Sequence, residues 1–408
     1  MLRLPTENTL DREEKTMAEW VERKISDIGT VVGGATPSTK KPENYEDGKI
    51  AWITPKDLST FSGRYIERGE RNITEIGLKS CSTQLLPPNT ILFSSRAPIG
   101  YVAIAANEVC TNQGFKSVIP NENTDPLFLF YLLKYNKDKI EGMGSGTTFK
   151  EVSGNTMKNI VVNVPTDKKV QEKIAAILGS IDDKIEENEQ INNNLEQQAK
   201  AIFSNEFLTL ETLPDGWKQA SLIDIADYLN GLAMQKYRPT ADETGIPVLK
   251  IKELRQGCCD DNSELCSPSI KSEYIIHDGD VIFSWSGSLI VDFWCGGICG
   301  LNQHLFKVTS NKYNKWFYYA WTKHHLDRFI AVAADKATTM GHIKRDELSK
   351  AEVLIPNEAD YKRIETLLQP IFDLIIANRI ENKKLAETRD ALLPKLMSGE
   401  LDVSNIEL

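Results

Sequence analysis

Two long stretches of the chain place apolar residues at alternating steps of three and four. The first stretch follows Pro165 and the second follows Pro356. Such spacing puts one apolar stripe along a helix and is typical of a heptad seam, so both stretches are predicted to be long helices. The predicted seam positions are Leu178, Ile181, Ile185, Asn188, Asn192 and Leu195 in the first helix, and Leu368, Ile371, Ile375, Asn378, Asn382 and Leu385 in the second.

Asparagines interrupt both apolar seams at the same two steps, because Asn188 and Asn192 each recur 190 residues later. A buried asparagine costs stability, but it fixes the register of a coiled coil when it meets a polar partner. If the helices pair antiparallel, the asparagines of one lie opposite those of the other. Replacing Asn188 and Asn378 with leucine is then expected to keep or raise thermal stability and to loosen the register. The alternative is that each helix packs only on its own domain.

Polar residues stand at the predicted start of each helix. Thr166 is the expected cap of the first helix, with Asp167 at the positive end of the helix dipole. Asn357 and Glu358 occupy the matching places before the second helix.

Before each long helix, short strand-like runs alternate with an aromatic-rich helical stretch, and glycine and proline punctuate both. This mixture predicts an α+β globular domain in each half of the chain. The strand-like runs are Thr90–Phe93, Tyr101–Ala105 and Asp280–Phe283, and the helical stretches are Pro126–Lys137 and Tyr313–Phe329.

The two halves are copies of one design. Trp20 recurs as Trp217 at an offset of 197 residues, and Phe93 recurs as Phe283 at an offset of 190. We therefore expect two similar α+β domains, each followed by a long helix, with the two helices pairing as an antiparallel coiled coil with pseudo-two-fold symmetry. The expected segments are a flexible tail (1–16), a first globular domain (17–165), a central spacer helix (166–205), a linker (206–216), a second globular domain (217–356), a C-terminal spacer helix (357–401) and a tail (402–408).

Composition favours a folded chain with reduced thiols. The 408 residues are 41% hydrophobic and 26% charged, with no apolar run long enough to span a membrane and no signal peptide at the start. Seven cysteines without an export signal indicate the cytoplasm. The net charge of −10 argues against nucleic acid when taken alone. The acidic residues concentrate around 182–189, however, so basic faces elsewhere remain compatible with DNA.

The sequence lacks the motifs of a catalyst. It has no phosphate-binding glycine loop ending in Gly-Lys-Ser/Thr and no Asn-Pro-Pro-Tyr/Phe run of the adenine methyltransferase type. All five histidines lie in the second copy, which excludes a repeated histidine site. The cysteines of the second copy are irregularly spaced, so no metal site is predicted.

Several stretches make the chain similar to a known family. They are Ile99-Gly100 with the downstream run Thr111-Asn-Gln-Gly114, the run QEKIAAILGSIDDKIEENEQI, the bridge from Ala201 to Trp217, and the C-terminal run Leu392–Leu401. With two divergent domains and two similar helices, the chain resembles the specificity subunits of type I restriction–modification enzymes from about Trp20 to Leu401. The helix motifs are the more specific part of this resemblance.

The resemblance implies that each globular part is a target recognition domain that reads one half of a split double-stranded DNA sequence. It implies that the helices space these domains and dock two modification subunits, which methylate adenine. S-adenosylmethionine, ATP and magnesium are then expected on the modification and restriction subunits, and no cofactor is expected on this chain. The seam from Leu178 to Ile202 spans roughly 36 Å at ~1.5 Å per residue, which is about one turn of B-DNA.

Loops at matching places in the two copies are the predicted DNA contacts, because arginine, lysine, serine and threonine suit base edges and phosphates. Asn112-Gln113 and Asn302-Gln303 are expected to be framework, since they are identical in two domains that read different sequences. The threonine pairs also fit ordinary turns. The predicted contacts are Ser95, Arg96, Thr147, Thr148 and Lys150 in the first copy, and Trp285, Ser286, Lys336, Thr338, Thr339 and Arg345 in the second.

Two other classes of protein remain open at this point. One is a coiled-coil scaffold whose globular domains bind protein or glycan. The other is an enzyme that fuses a methyltransferase to the specificity domains, although two repeats leave little room for a nucleotide-binding motif in this length.

Overall fold

A computed structural model of the chain describes residues 18–96, 98–146, 150–335, 345–404 and 406. The chain divides into two compact units. One contains the chain up to Asp183 together with the segment from Ala386 onward, and the other contains Lys184–Leu385. Each unit therefore holds one globular copy and parts of both long helices, so the units do not follow the simple succession of segments in the sequence.

The first copy mixes short strands and helices, as predicted, and the first long helix follows it. In chain order its elements are β1 (Trp20–Lys24), α1 (Ile25–Ile28), β2 (Gly29–Gly33), β3 (Ile50–Ile53), α2 (Pro55–Ser59), β4 (Tyr65–Ile66), β5 (Arg71–Ile73), α3 (Glu75–Lys79), β6 (Ile91–Ser95), β7 (Ile99–Ala105), β8 (Val109–Thr111), β9 (Lys116–Pro120), α4 (Pro126–Tyr135), α5 (Lys137–Gly142), α6 (Gly154–Asn159), β10 (Val161–Pro165) and the long helix α7 (Lys168–Phe203).

The second copy has the same plan and ends in the second long helix. Its elements are β11 (Lys218–Ser221), α8 (Leu222–Ile225), β12 (Asp227–Asn230), β13 (Ile246–Leu249), α9 (Ile251–Gln256), β14 (Leu265–Cys266), β15 (Ile275–Ile276), β16 (Val281–Ser284), β17 (Ile290–Phe293), β18 (Cys299–Leu301), β19 (Leu305–Thr309), α10 (Lys315–His324), α11 (Leu326–Asp335), α12 (Arg345–Ser349), β20 (Glu352–Ile355) and the long helix α13 (Glu358–Met397).

The sheets of the two copies have matching topologies. A ribbon of the first and last strands closes each copy, β1 with β10 and β11 with β20. The main sheets share an antiparallel order, β2-β9-β6-β7 in the first copy and β12-β19-β16-β17 in the second, and the first copy adds β4 parallel to β7. A smaller sheet pairs β3 parallel to β8, and β13 parallel to β18. The duplication seen in the sequence is thus a duplication of strand order.

An aromatic-rich helix packs into the core of each copy. Phe128 and Tyr131 of α4 are fully buried with Phe93 of β6. Phe317 of α10 is fully buried with Phe283 of β16. The matching phenylalanines on β6 and β16 were expected from the repeat, and the helices bury almost every apolar side chain because they lie between a sheet and a long helix.

The long helices pair antiparallel, because the residue numbers of the contacting positions rise along α7 and fall along α13. Asn188 donates to the Asn382 side-chain oxygen over 2.8 Å, and Asn378 donates to that of Asn192 over 2.9 Å. These contacts lie within the second unit. Of the predicted seam positions, Leu178, Asn188, Asn192, Leu368, Ile375 and Asn378 are buried, and Ile181, Ile185, Leu195, Ile371, Asn382 and Leu385 are half-buried.

In the first unit a salt bridge continues the contact between the helices. Arg389 Nη1 lies 2.7 Å from Asp182 Oδ1, and the Tyr131 hydroxyl donates to Asp182 Oδ2 over 2.6 Å. Burial and the contact with Asp182 raise the pKa of Tyr131. The acidic run at 182–183 is therefore partly structural, because Asp182 is buried among its partners while Asp183 faces Arg64.

One capping expectation is corrected. The cap of α7 is Asp167, whose carboxylate accepts the Lys169 amide over 2.9 Å; the Thr166 hydroxyl donates to the Glu19 carbonyl instead. Within the expected linker, Phe207 is buried against the second copy's aromatic core. Within the expected C-terminal tail, Val403 is buried in the core of the first unit.

Asn357 is the cap of α13, as expected. Its side chain accepts the Asp360 amide over 2.9 Å, and its carbonyl accepts the Tyr361 amide. Asn357 lies 190 residues after Asp167, so the two true caps are equivalent positions of the repeat. Both side-chain oxygens satisfy backbone N–H groups that the first helical turn leaves unpaired.

Candidate nucleic-acid interface

Each copy contains a short Asn-Gln segment, residues 111–115 in the first and 301–305 in the second. The Asn112 side-chain oxygen accepts the Gly114 amide over 2.8 Å, and the Asn302 oxygen accepts the His304 amide over 3.2 Å. An asparagine that binds the backbone two residues on holds a tight turn. The shared asparagines are therefore framework, as the sequence predicted.

A loop that begins with a glycine rests on each Asn-Gln segment. The glycine-led loops are residues 34–41 and 231–238. The amides that follow their glycines donate to the carbonyls of Thr111 over 3.0 Å and Leu301 over 2.9 Å. A Cβ atom on Gly34 or Gly231 would collide with the backbone oxygens of this segment. Only glycine permits so close an approach of the two backbones.

A hairpin turn approaches each Asn-Gln segment from another side. These turns follow β6 and β16. The Ser94 hydroxyl donates to the Pro98 carbonyl over 2.8 Å, and the Ser284 hydroxyl donates to the Ser288 carbonyl over 2.8 Å. In both copies the amide after this serine donates to the segment, from Ser95 to Gly114 and from Trp285 to His304. The same backbone scaffold thus carries different turn residues in the two copies.

Two predicted DNA contacts are part of this scaffold and are corrected. Ser95 is fully buried, and its hydroxyl donates to the Gly114 carbonyl over 3.1 Å. Ser286 is 2% exposed, and its hydroxyl lies 3.1 Å from His304 Nδ1. Both side chains are buried, because each hydroxyl bonds to the Asn-Gln segment on which its turn packs.

The other described candidates of the first copy lie near the turn after β6. Arg96 is about one-third exposed and forms an ion pair of 3.8 Å with Glu151, which also lies 3.3 Å from Lys116 Nζ. Lys150 is exposed beside Glu151. The backbones of Ser145 and Glu151 exchange two hydrogen bonds, of 3.0 and 2.9 Å. Thr147 and Thr148 lie outside the described residues.

In the second copy Trp285, which occupies the position of Ser95, is aromatic and half-exposed. The Trp285 indole donates to the Asn230 side chain over 2.9 Å, and its ring packs against His304 and Phe306. Arg345 is exposed at the first residue of α12. Lys336, Thr338 and Thr339 lie outside the described residues. The centre of this surface is therefore aromatic in the second copy and charged in the first.

The sequence-based selection missed the glycine-led loops. Each contains two basic residues and no acidic residue, Lys40 and Lys41 in the first copy and Lys236 and Arg238 in the second. All four are exposed, and Arg238 pairs with Glu264 over 3.1 Å. In the first copy Tyr45 and Asn44 hold the loop backbone through hydrogen bonds of 2.6 and 2.9 Å. The sequence could have indicated these loops, because Gly231 follows Gly34 by 197 residues, the same offset that separates Trp217 from Trp20.

Two further findings bear on the kind of site. Among the described residues, no group of three or more His, Cys, Asp or Glu side chains is placed to hold a metal ion. Within the same part of the chain, no helix has both the length and the apolar character needed to cross a membrane.

Comparisons with known proteins agree with this two-copy arrangement. The profile of the type I restriction modification DNA specificity domain matches residues 17–197 and 214–387. The MjaIX type I restriction enzyme specificity subunit of Methanocaldococcus jannaschii is 35% identical, with 96% of each chain covered. The HindI specificity subunit of Haemophilus influenzae is 22% identical over 94% of this chain and all of its own.

A solved structure shares the fold. The crystal structure of the type I restriction–modification S subunit from M. genitalium matches 95% of this chain and 98% of its own, with a TM-score of 0.58 at 14% identity. Two α+β copies that share a backbone scaffold and differ in their loop residues define a class of recognition proteins with two similar domains. Within that class, the chain belongs to the type I restriction–modification DNA specificity family.

Proposed function

We propose that the chain is the DNA sequence-specificity subunit of a type I restriction–modification enzyme and reads a two-part DNA target, one half with each copy. The observation that carries this proposal is the repeated scaffold around the Asn-Gln segments. In both copies a glycine-led loop and a hairpin turn meet this segment through equivalent hydrogen bonds. The exposed residues on that scaffold differ between the copies, which is what two readers of different half-sites require.

The charges of the glycine-led loops suit a nucleic-acid backbone although the chain is acidic overall. Each loop contributes two positive charges and no negative charge. Lysine and arginine contacts to phosphate fix the orientation of a protein on the duplex and make its binding sensitive to salt. The alternative, a scaffold that binds protein or glycan, is not favoured, because the chain belongs to the DNA specificity family.

The difference between the hairpin turns suits a difference in base reading. Arg96 presents a guanidinium whose position Glu151 restrains, and guanidinium groups favour the major-groove edge of guanine. Trp285 presents a half-exposed ring whose indole N–H is already bonded to Asn230. A ring of this kind suits apolar contact with a thymine methyl or a sugar.

The same proposal extends to partners and cofactors. The chain contains two copies of one domain followed by a helix, so it can offer similar surfaces twice and suits two adenine methyltransferase subunits, with restriction subunits joining the assembly. S-adenosylmethionine, ATP and magnesium belong to those partners in this proposal, and the chain contributes recognition without catalysis. In this proposal the assembly acts on double-stranded DNA in the cytoplasm.

Methylation mapping with the full chain and its methyltransferase partner tests the two-part target. We expect a bipartite methylated motif, and we expect substitution of the 232–238 loop by that of another family member to change one half only. A matched substitution of the 35–41 loop is expected to change the other half only. A contiguous motif, or a change of both halves by one loop, would contradict the proposal.

The purified chain by itself tests the absence of catalysis. We expect no transfer of methyl groups to DNA, no cleavage and no ATP hydrolysis above a buffer control. Turnover that copurifies with the chain through an ion-exchange and a sizing step, with no partner subunit detected by mass spectrometry, would refute it.

A further inference from the structure

Two cysteine sulfurs of the second copy lie next to each other. Cys259 Sγ and Cys299 Sγ are 3.4 Å apart, in hydrogen-bond contact. Cys299 is the first residue of β18, which is paired with β13 on one side and β15 on the other. Cys259 lies in the loop after α9. One thiol thus stands on a fixed strand and the other on a loop.

The two thiols differ in burial and in acidity. Cys299 is fully buried, whereas Cys259 is partly exposed. The hydrogen bond from Cys299 lowers the pKa of Cys259 below its ordinary value. The same contact, together with burial, raises the pKa of Cys299. Cys259 is therefore the thiol that peroxide meets first, because it is the partly exposed one and the Cys299 thiol can donate to its sulfur.

We propose that Cys259 and Cys299 form an oxidation site that hydrogen peroxide converts into a disulfide. The Cys259 thiolate attacks one peroxide oxygen, the O–O bond breaks, and the departing hydroxide takes a proton to become water, leaving a sulfenic acid. The Cys299 sulfur then attacks the Cys259 sulfur, the S–O bond breaks, and hydroxide leaves with the Cys299 proton as a second water. The two thiols lose two electrons in total, and one peroxide gains them.

The geometry allows this closure with a small movement of the loop. The sulfurs must approach by about 1.4 Å to reach the disulfide bond length. Strand β18 cannot supply the movement, because both of its edges are paired. The loop can, since it leaves α9 through Gly257 in the left-handed conformation at φ 77°, and Gly257, Asp261 and Asn262 are exposed.

Formation of the disulfide is expected to affect the hairpin turn after β16, because α9 contacts that turn. Arg255 of α9 donates to the Ser288 hydroxyl, and Ile251 of the same helix packs beside Gly287. A disulfide that fixes the end of α9 to β18 therefore restrains residues 285–288. The first copy has no equivalent pair, since Val109 occupies the position of Cys299 at the offset of 190. Any effect on DNA reading rests on the proposed function, whereas the oxidation itself does not.

Peptide mapping of the full chain after peroxide treatment tests the site. We expect tryptic peptides 256–271 and 272–307 to be joined by one disulfide, which Cys259→Ser and Cys299→Ser each abolish. The neighbouring variants Cys258→Ser, Cys266→Ser and Cys295→Ser serve as matched controls and are expected to keep it. A sulfenic-acid probe is expected to label Cys259 in the Cys299→Ser variant. Absence of the link in the wild type, or its persistence in Cys259→Ser or Cys299→Ser, would overturn the proposal.

Hydrogen–deuterium exchange of reduced and oxidised chain tests the coupling to the turn. We expect exchange at 257–260 and 285–288 to slow roughly tenfold on oxidation, because a cross-link removes local opening. The turn after β6 of the first copy is the internal control and is expected to be unchanged. Unaltered exchange at 285–288 in the oxidised chain would refute the coupling. Neither readout involves DNA, so failure here is distinct from failure of the proposed function.

Discussion

The asparagine pair Asn192–Asn378 offers the sharpest test of the paired helices. Both side chains are more than nine-tenths buried. Asn378 donates to the Asn192 oxygen over 2.9 Å, and Asn192 donates to the Ile375 carbonyl over 3.3 Å. Replacing Asn378 with leucine removes the donor and leaves the Asn192 oxygen buried without it. An unsatisfied buried polar group costs about 1–3 kcal/mol, so this single variant is expected to be destabilised by that amount.

The double variant Asn192→Leu with Asn378→Leu is expected to be no less stable than the wild type. It removes both members of the pair, and no orphaned oxygen remains. Two buried leucine side chains contribute about 1.5–3 kcal/mol each, which offsets hydrogen bonds worth about 0.5–1.5 kcal/mol each. If each single substitution costs about 1–3 kcal/mol and the double variant costs nothing, the coupling between the two sites is about 2–6 kcal/mol.

The structure also changes the expectation for Asn188 and Asn378. These residues belong to different pairs, because Asn188 bonds to Asn382 and Asn378 bonds to Asn192. Replacing both with leucine orphans one asparagine in each pair. We now expect that double variant to lose stability, whereas the sequence alone suggested that it would keep or gain it.

Urea unfolding followed by tryptophan fluorescence measures this cycle, since five of the seven tryptophans lie in the second unit with the asparagines. Asn194→Leu is the matched control, because Asn194 is exposed on the same helix; a change within about 0.5 kcal/mol is expected. Strictly additive effects of the two single substitutions would refute the reasoning, because they would show that the two amides do not depend on each other.

Three further predictions follow from single positions. Gly34→Ala and Gly231→Ala are each expected to cost about 1–3 kcal/mol, measured by thermal unfolding, because the added Cβ meets backbone oxygens. Burial lowers the pKa of His325, so the unfolded state binds the proton more readily, and the free energy of unfolding is expected to fall as pH drops below about 6.5; His325→Gln flattens that dependence. Arg96→Ala is expected to cost about 1–3 kcal/mol of DNA affinity in the assembled complex, and Lys150→Ala to reduce the salt slope by about one.

Matched variants keep these three predictions testable. Gly33→Ala is the control for the glycines, since no atom lies within 4 Å of a Cβ built there; equal losses at Gly33 and Gly34 would contradict the steric argument. His277→Gln removes an exposed histidine and is expected to leave the pH dependence unchanged. Lys200→Ala on α7 is the control for charge loss, and wild-type affinity and salt slope in both Arg96→Ala and Lys150→Ala would show that these residues do not contact DNA.

The periodicity of apolar residues and the internal repeat were sufficient to predict most of the fold. The heptad spacing sufficed to predict both long helices, and the offsets of Trp20 and Phe93 sufficed to predict two copies of one domain. Such features are local or repeated, so a single chain displays them without any knowledge of long-range contacts. The asparagines also predicted that the two helices pair with each other, because a polar residue at the same place in two apolar seams requires a polar partner.

Tertiary structure alone decided which polar side chains are free to bind. Ser95 and Ser286 look like surface residues in the sequence, but each is buried against an Asn-Gln segment that lies some twenty residues away. The contact between Cys259 and Cys299 likewise joins a loop to a strand that lies 40 residues further along the chain. The sequence determined that there are two similar domains on two pairing helices. Burial and partnership decided the rest, because they depend on backbone segments that meet only once the chain has folded.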